Sequence, residues 1–256
     1  IITDYWQWKP FIKIDSANPV MTPDPSTTFH CPIRGELVRW EEKDVFNPAA
    51  VVRDNMIQMI YRAEDIVGKH AGTSRLGLAS STDGLSFERL DKPVFYPDHD
   101  EMKIFEWEGG VEDPSIVESE EGLYIMTYTS YDGEIARLCL ASSPDLLTWE
   151  KHGLVLGKLK NGKYRDLWSK SGSIVCKSQG DRLIASRING KYWMYWGDTD
   201  IFLATSENLI DWQPLENEDG SIKIIFGPRK GYFDSDLVEP GPPAIITDDG
   251  IWMIYN

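Results

Sequence analysis

Cysteine is scarce in this chain of 256 residues: there are three, Cys31, Cys139 and Cys176. An odd count without metal-like spacing supports neither a disulfide framework nor a zinc site, so the three read as small buried apolar residues. Long apolar runs are absent. The longest hold only a few residues, such as Ile57–Tyr61 with Gln58 inside it, too short to span a bilayer. Positive charge is in deficit: 26 Lys and Arg face 41 Asp and Glu, a net −15, which argues against nucleic acid or an anionic membrane as partner. That acidity favours solubility and names no substrate. The first residues, Ile1 to Trp6, lack the basic and apolar regions of a signal peptide. A processed chain would look the same, so export stays open.

Aromatic residues are plentiful, with ten Trp and eleven Tyr. Carbohydrate sites use such rings as platforms, although many would be core in any β-rich protein. Composition is otherwise that of a folded globular chain, 41% hydrophobic and 26% charged. Its length allows one large domain or two small ones.

A repeat organises the chain. Ala79-Ser80-Ser81-Thr82-Asp83-Gly84-Leu85-Ser86-Phe87 recurs as Ala141 to Trp149 and as Ala204 to Trp212, with the closing aromatics 62 and 63 residues apart. Each copy follows a short alternating run (Arg75–Leu78, Arg137–Leu140, Ile201–Leu203) and predicts strand, tight hairpin turn, strand, with the aromatic packed between sheets. A second pattern interleaves. Asn47-Pro48-Ala49, Asp113-Pro114-Ser115, Gly172-Ser173-Ile174 and Pro242-Pro243-Ala244 each predict the start of a strand. Each is followed by another, at Ile57–Tyr61, Leu123–Tyr128, Tyr192–Trp196 and Ile251–Tyr255. Four strands per period, with no amphipathic helix, is the signature of propeller blades. A β-sandwich would not repeat one motif at constant spacing. The expectation is an all-β propeller forming a single domain over residues 1–256, with residues 1–45 contributing to a closing blade. Ring closure then falls short, because the sequence stops after the second strand of a repeat, and truncation within the last blade is expected.

In a propeller the innermost strands line a central channel, so residues that open them converge on one pocket. That set comprises Asn47, Asp113, Ser171 and the segment Glu239-Pro240-Gly241-Pro242, with Arg62, Glu64, Asp65, Trp168, Lys170 and Asp198 around it. One Glu-Asp-Pro alone is a turn. Carboxylates gathered from several blades, mixed with Trp and Arg, suit inverting glycoside cleavage, in which an acid protonates the leaving oxygen while a base activates water.

The chain resembles the mannoside phosphorylases and mannosidases grouped as glycoside hydrolase family 130. The resemblance is carried by Phe46-Asn47-Pro48-Ala49, Tyr61-Arg62-Ala63-Glu64-Asp65, Gly110-Val111-Glu112-Asp113-Pro114, Lys191 to Asp198, and Gly241-Pro242-Pro243-Ala244. It implies five blades, an inverting mechanism, exo-acting attack on β-mannosides, no cofactor and no metal. It also implies that Asp113 is the general acid, working through a hydroxyl of the bound mannose. Family members continue beyond the last motif, in line with the truncation expected above.

Departures from the family pattern bear on the reaction. The resemblance implies an Arg directly after Glu-Asp-Pro, where this chain has Ser115, and a His in the final motif, where it has Asn256. Glu239 stands where phosphorylases carry a small residue. Two unit charges 4 Å apart at an effective dielectric of 20 interact by roughly 4 kcal/mol, so placing an anion beside a phosphate dianion weakens its binding steeply. Hydrolysis is therefore the expected reaction, and the resemblance to the hydrolase branch of the family implies β-mannosidic links, β-1,2 in kind, as its target. Phosphorolysis, with inorganic phosphate as co-substrate, is the alternative kept open by Arg62 and Lys170. Glu239 is the first choice for the base and Asp198 the second, with a sugar-hydroxyl contact as Asp198's other role. Asn47, Glu64 and Asp65 are expected to bind hydroxyls of the terminal mannose, and Trp168 is a candidate stacking platform. Rival readings are a non-catalytic sugar-binding propeller, another propeller glycosidase acting on arabinose, xylose or fructose, and a scaffold. The partner expected is a β-mannooligosaccharide. No motif encodes an oligomeric state, and export is slightly favoured for an acidic mannan-degrading enzyme.

Overall fold

The computed structural model describes residues 12–70 and 72–256. A hairpin of β1 (Phe29–Cys31) and β2 (Glu36–Val38) comes first. Four antiparallel strands follow, β3 (Asp44–Arg53), β4 (Met56–Glu64), β5 (Ser74–Ser81) and β6 (Glu88–Arg89). A second set is β7 (Gly110–Glu118), β8 (Tyr124–Tyr131), β9 (Ala136–Ser143) and β10 (Glu150–Leu154). The third contains β11 (Gly172–Ile174), an inserted hairpin of β12 (Cys176–Gln179) and β13 (Arg182–Ala185), then β14 (Tyr192–Trp196), β15 (Ile201–Ser206) and β16 (Trp212–Pro214). Strand β17 (Ile224–Phe226) returns onto β15, and β18 (Ile245–Thr247) with β19 (Gly250–Trp252) opens a fourth unit. The chain is an all-β propeller, as the repeat predicts. Among the described residues no helix is long and apolar enough to cross a membrane.

Strand alternation builds the core. Successive side chains of a strand face opposite ways, so one strand feeds two apolar layers. In β8, Met126 and Tyr128 join the layer between the first and second blades, while Ile125 joins the layer between the second and third. In β9, Cys139 and Ala141 face the first of these layers and Leu138 and Leu140 the other. A third layer places Phe29, Cys31 and Val38 of the hairpin against Met59, Tyr61 and Ala63. The three cysteines are buried and free, one per layer.

The repeated motif owes its form to hydroxyl-capped turns. Ser81 Oγ accepts the N–H groups of Asp83 (3.2 Å) and Gly84 (2.9 Å), Ser143 those of Asp145 (3.2 Å) and Leu146 (2.8 Å), and Ser206 those of Asn208 (3.2 Å) and Leu209 (2.9 Å). The Asp or Asn at the second position then caps two further amides, as Asp145 does for Leu147 and Thr148. These are longer, side-chain-closed loops, not the tight hairpin turns expected. The closing aromatics Phe87, Trp149 and Trp212 each pack on a different layer, as expected.

Other details differ from expectation. Asn47 and Asp113 do not open their strands but lie three residues inside them, at breaks in register. The inner strand of the third blade is split, and the hairpin β12–β13 fills the gap. It pairs in parallel with β18 at Cys176 and Ile245, and with β7 at Ile184 and Glu118. Of the leader expected to help close the ring, residues 1–11 lie outside the described residues. The hairpin β1–β2 pairs with neither β18 nor β19 and packs on the first blade.

The turn chemistry leads to a stability test. Ser143→Ala and Ser206→Ala should each lose about 1 kcal/mol in urea denaturation, and the double variant the sum, since the turns share no partners. Ser178→Ala, whose hydroxyl bonds only the exposed carbonyl of Gly180, should leave stability unchanged.

Candidate active site

Two bulges shape the channel entrance. The β3–β4 register shifts between Phe46 and Ala49, and the β7–β8 register shifts between Glu112 and Ser115. Asn47 and Asp113 occupy these shifts with φ of 44° and 49°, and Ser171, just before β11, has φ 47°. Asn and Asp tolerate this left-handed region better than most side chains, and such strain persists only where surrounding contacts hold it. Gly110 (φ 113°) brings β7 onto β5 beside Ser74, where a Cβ would collide with the Ser74 backbone.

The bulge at Asp113 breaks the two-residue alternation, so Glu112 and Asp113, neighbours in sequence, reach the same guanidinium. Arg62 of β4 donates from Nη1 to Asp113 Oδ1 (3.1 Å) and from Nη2 to Glu64 Oε1 (2.7 Å) and Glu112 Oε1 (2.9 Å). Its Nε donates to Ser74 Oγ (2.9 Å), and its plane lies 4.5 Å over the ring of Phe46. Asn47 Nδ2 donates to Asp113 Oδ1 at 2.7 Å. Lys170 Nζ lies 3.5 Å from Asp113 Oδ2 and 3.8 Å from Glu239 Oε1. The Ser171 hydroxyl donates to Glu239, whose backbone pairs in both directions with Asn256. A cavity of about 530 Å³ opens here, lined among others by Asn47, Asp113, Ser115, Ser171, Glu239 and Asn256.

Charge is finely divided. Burial pushes the Asp113 carboxyl up, but Arg62, the Asn47 amide and Lys170 outweigh it and hold Asp113 below the ordinary carboxylate range. Burial dominates at Glu112 and lifts it to about 7, Arg62 opposing and Asp113 reinforcing. For Lys170, burial favours the neutral amine, yet Asp113 and Glu239 together keep its pKa above the usual value. Asp113 is the ionised carboxylate of the bulge and Glu112 the one poised to hold a proton near neutrality.

The expected residues divide. Asn47, Arg62, Glu64, Asp113, Lys170 and Glu239 belong to one charge network, and Ser115 lines the cavity with three of them. Glu64 is also held by Lys43 Nζ at 2.8 Å. Asp198 and Trp168 pair with each other, at 3.1 Å, in the loops beside Lys170. Asp65 differs from expectation. Its carboxylate is fully buried, ion-pairs with Arg75 at 2.7 Å and accepts the amides of Thr73 and Val67. It braces the loop after β4, its carboxylate taken up by protein partners. Glu112 was not anticipated from sequence, because in an unbroken strand it faces opposite to Asp113. The Asp-Pro step that follows it was the only available sign of a bulge.

Two measurements test these placements. Asp65→Asn leaves Arg75 buried and under-paired and should cost about 3–5 kcal/mol of stability in urea denaturation, whereas Asp113→Asn leaves Arg62 still paired with Glu64 and Glu112 and should cost less. Glu112 also contributes a pH dependence. With its folded pKa near 7 and an ordinary value of 4.5, it should withdraw stability as pH rises from 4.5, the effect being complete above 7 and absent below 4.5. Urea titrations at pH 5 and pH 8 should therefore differ by up to roughly 3 kcal/mol less in Glu112→Gln than in the parent.

Comparison with known proteins identifies the family. A family model for glycoside hydrolase family 130, described as beta-1,4-mannooligosaccharide phosphorylase, matches residues 12–256. A 1,2-beta-oligomannan phosphorylase of Thermoanaerobacter sp. (strain X514) is 37% identical over 225 residues, 85% of this chain and 65% of that protein. The chain thus spans just under two thirds of that relative's length. A glycosyl hydrolase structure from Bacteroides ovatus is 47% identical with a TM-score of 0.95, covering 98% of this chain and 70% of its own. Another structure, at 48% identity and TM-score 0.95 over 100% of this chain and 72% of its own, is described by the statement that the GH130 family of mannoside phosphorylases contains glycoside hydrolases that target beta-1,2 mannosidic linkages in Candida mannan. The chain belongs to glycoside hydrolase family 130, whose members are carbohydrate-active enzymes acting on β-mannosides.

Proposed function

We propose that this chain carries the catalytic propeller of an inverting, exo-acting glycoside hydrolase that cleaves β-1,2-mannosidic linkages in mannan-type oligosaccharides. The observation that carries this reading is the commitment of both cations beside Asp113. Arg62 is shared by three carboxylates and Lys170 by two. A phosphate dianion would enter an already anionic cavity, next to Glu239 and without a cation at position 115 or 256. At roughly 4 kcal/mol per close charge pair, Glu239 alone weighs heavily against it.

Water suits the same geometry. Asp113, protonated, gives its proton through a hydroxyl of the bound mannose to the leaving oxygen. Glu239 takes a proton from a water, and that water attacks the anomeric carbon from the opposite face and inverts it. One proton is given and one taken. Their common neighbour Lys170 keeps the facing oxygens of Asp113 and Glu239 within about 7 Å of each other, so both can serve one sugar. A sugar seated between Asp113 and Lys170 would weaken one of the contacts that hold Asp113 ionised, raising its pKa toward the acid's task. The cavity has the size of a small-ligand pocket and suits a chain end.

Phosphorolysis is the second reading, and it has specific support. The family description and the curated relative are both named as phosphorylases, and by name they favour it over hydrolysis. In that reading Arg62 and Lys170 turn from the carboxylates to the phosphate.

Incubation of the protein with β-1,2-mannobiose, with and without phosphate, separates the two. Hydrolysis predicts that NMR first detects α-mannose at a rate indifferent to phosphate, and that Asp113→Asn and Glu239→Gln each lower turnover by about a thousandfold or more. Formation of α-mannose 1-phosphate would overturn hydrolysis in favour of phosphorolysis, and near-normal turnover in Glu239→Gln would remove Glu239 as the base.

A further inference from the structure

Among the described residues Trp168 is the one exposed tryptophan, at 50% of its surface. Its N–H is already engaged, donating to Asp198 Oδ2 at 3.1 Å. Asp198 sits in the turn between β14 and β15, where Thr199 Oγ1 donates to its other oxygen at 3.4 Å. The backbone ties the two loops together, the Gly197 N–H donating to the Lys170 carbonyl at 3.0 Å. A charge-assisted bond from a fixed turn leaves the indole little freedom to rotate.

Burial alternates along this loop. Leu167 packs on the apolar layer beneath, and Ser169 is buried with its hydroxyl accepting the Leu138 N–H at 3.0 Å. Trp168 lies between them, exposed, and Lys170 follows Ser169, partly buried. Trp168 therefore shares a face with the ammonium group that stands 3.5 Å from Asp113 and 3.8 Å from Glu239. Two residues of extended chain span about 6.6 Å, close to the width of one pyranose ring. Asp198 and Trp168 both lie outside the cavity lining that includes Glu239, where a neighbouring subsite would be, and each oxygen of Asp198 accepts a bond from the protein.

We propose that Trp168 is the stacking platform for the second pyranose ring of an oligomannoside, next to the unit whose bond is cleaved, and that Asp198 is a positioning residue for Trp168 rather than the base. A pyranose carries an apolar C–H face and a rim of hydroxyls. An indole with its polar edge anchored offers a flat apolar surface to that face and makes no demand on the hydroxyls. The proposal rests on the mannoside reading above and names a subsite for it.

Steady-state kinetics on β-1,2-mannotriose test it. Trp168→Ala should raise KM about tenfold with kcat little changed, and Trp168→Phe should restore most of the loss. Asp198→Ala should follow Trp168→Ala in raising KM, while Asp198→Asn, which keeps an acceptor oxygen for the indole N–H, should recover most of that loss. An unchanged KM in Trp168→Ala overturns the platform. A thousandfold fall in kcat for Asp198→Asn overturns the positioning role and makes that carboxylate chemical. Tryptophan fluorescence of the parent with mannotriose separates failures: quenching without cleavage removes the enzymatic reading, and its loss in Trp168→Phe still supports the platform. A parent that neither binds nor cleaves mannotriose overturns both.

Discussion

Three carboxylates from two blades meet one guanidinium, and the channel entrance is organised by that meeting. Glu64 arrives from β4, Glu112 and Asp113 from β7, and Arg62 lies among them over the ring of Phe46. Buried like charges repel strongly, so the three can share a site only while the cation holds them. The same contact fixes how the first and second blades sit at the mouth, beside the parallel pairing of Ser74 with Gly110. Site geometry and blade packing are thus one problem here, solved by one side chain. Burial lifts Glu112, while at Asp113 Arg62, the Asn47 amide and Lys170 outweigh burial and hold the carboxyl down.

Much of the fold could be read from the residues. The period near 63 was carried by Ser81, Ser143 and Ser206 with their Asp or Asn partners, whose hydrogen bonds leave a fixed spelling. The strands between them followed from apolar patterning. What stayed hidden was everything that breaks the period. The hairpin β12–β13 is short, four residues a strand, and falls where one inner strand should run on. The bulges at Asn47 and Asp113 carry no pattern beyond a proline after an Asn or Asp.

The site was legible to a similar degree and for similar reasons. Inner strands converge on the channel mouth by topology, so Asn47, Asp113 and Glu239 could be named without coordinates, although Asn47 and Asp113 sit three residues inside their strands and not at the openings. Asp65 misled because Glu64 and Asp65 are neighbours, and in a strand end one of two neighbours must face inward. Only the position of Arg75 decides which. Glu112 misled in the opposite sense, since its strand is the one that breaks alternation.

The cysteines have a consequence of their own. Each thiol is sealed in a different interblade layer, with a blade standing between any two. Burial also raises Cys139 and Cys176 to about 12, far from the reactive thiolate. No pair can meet without taking a blade apart, so oxidation cannot cross-link this chain internally while it is folded. The same architecture would stand unchanged on either side of a cell membrane, in reducing or oxidising surroundings alike.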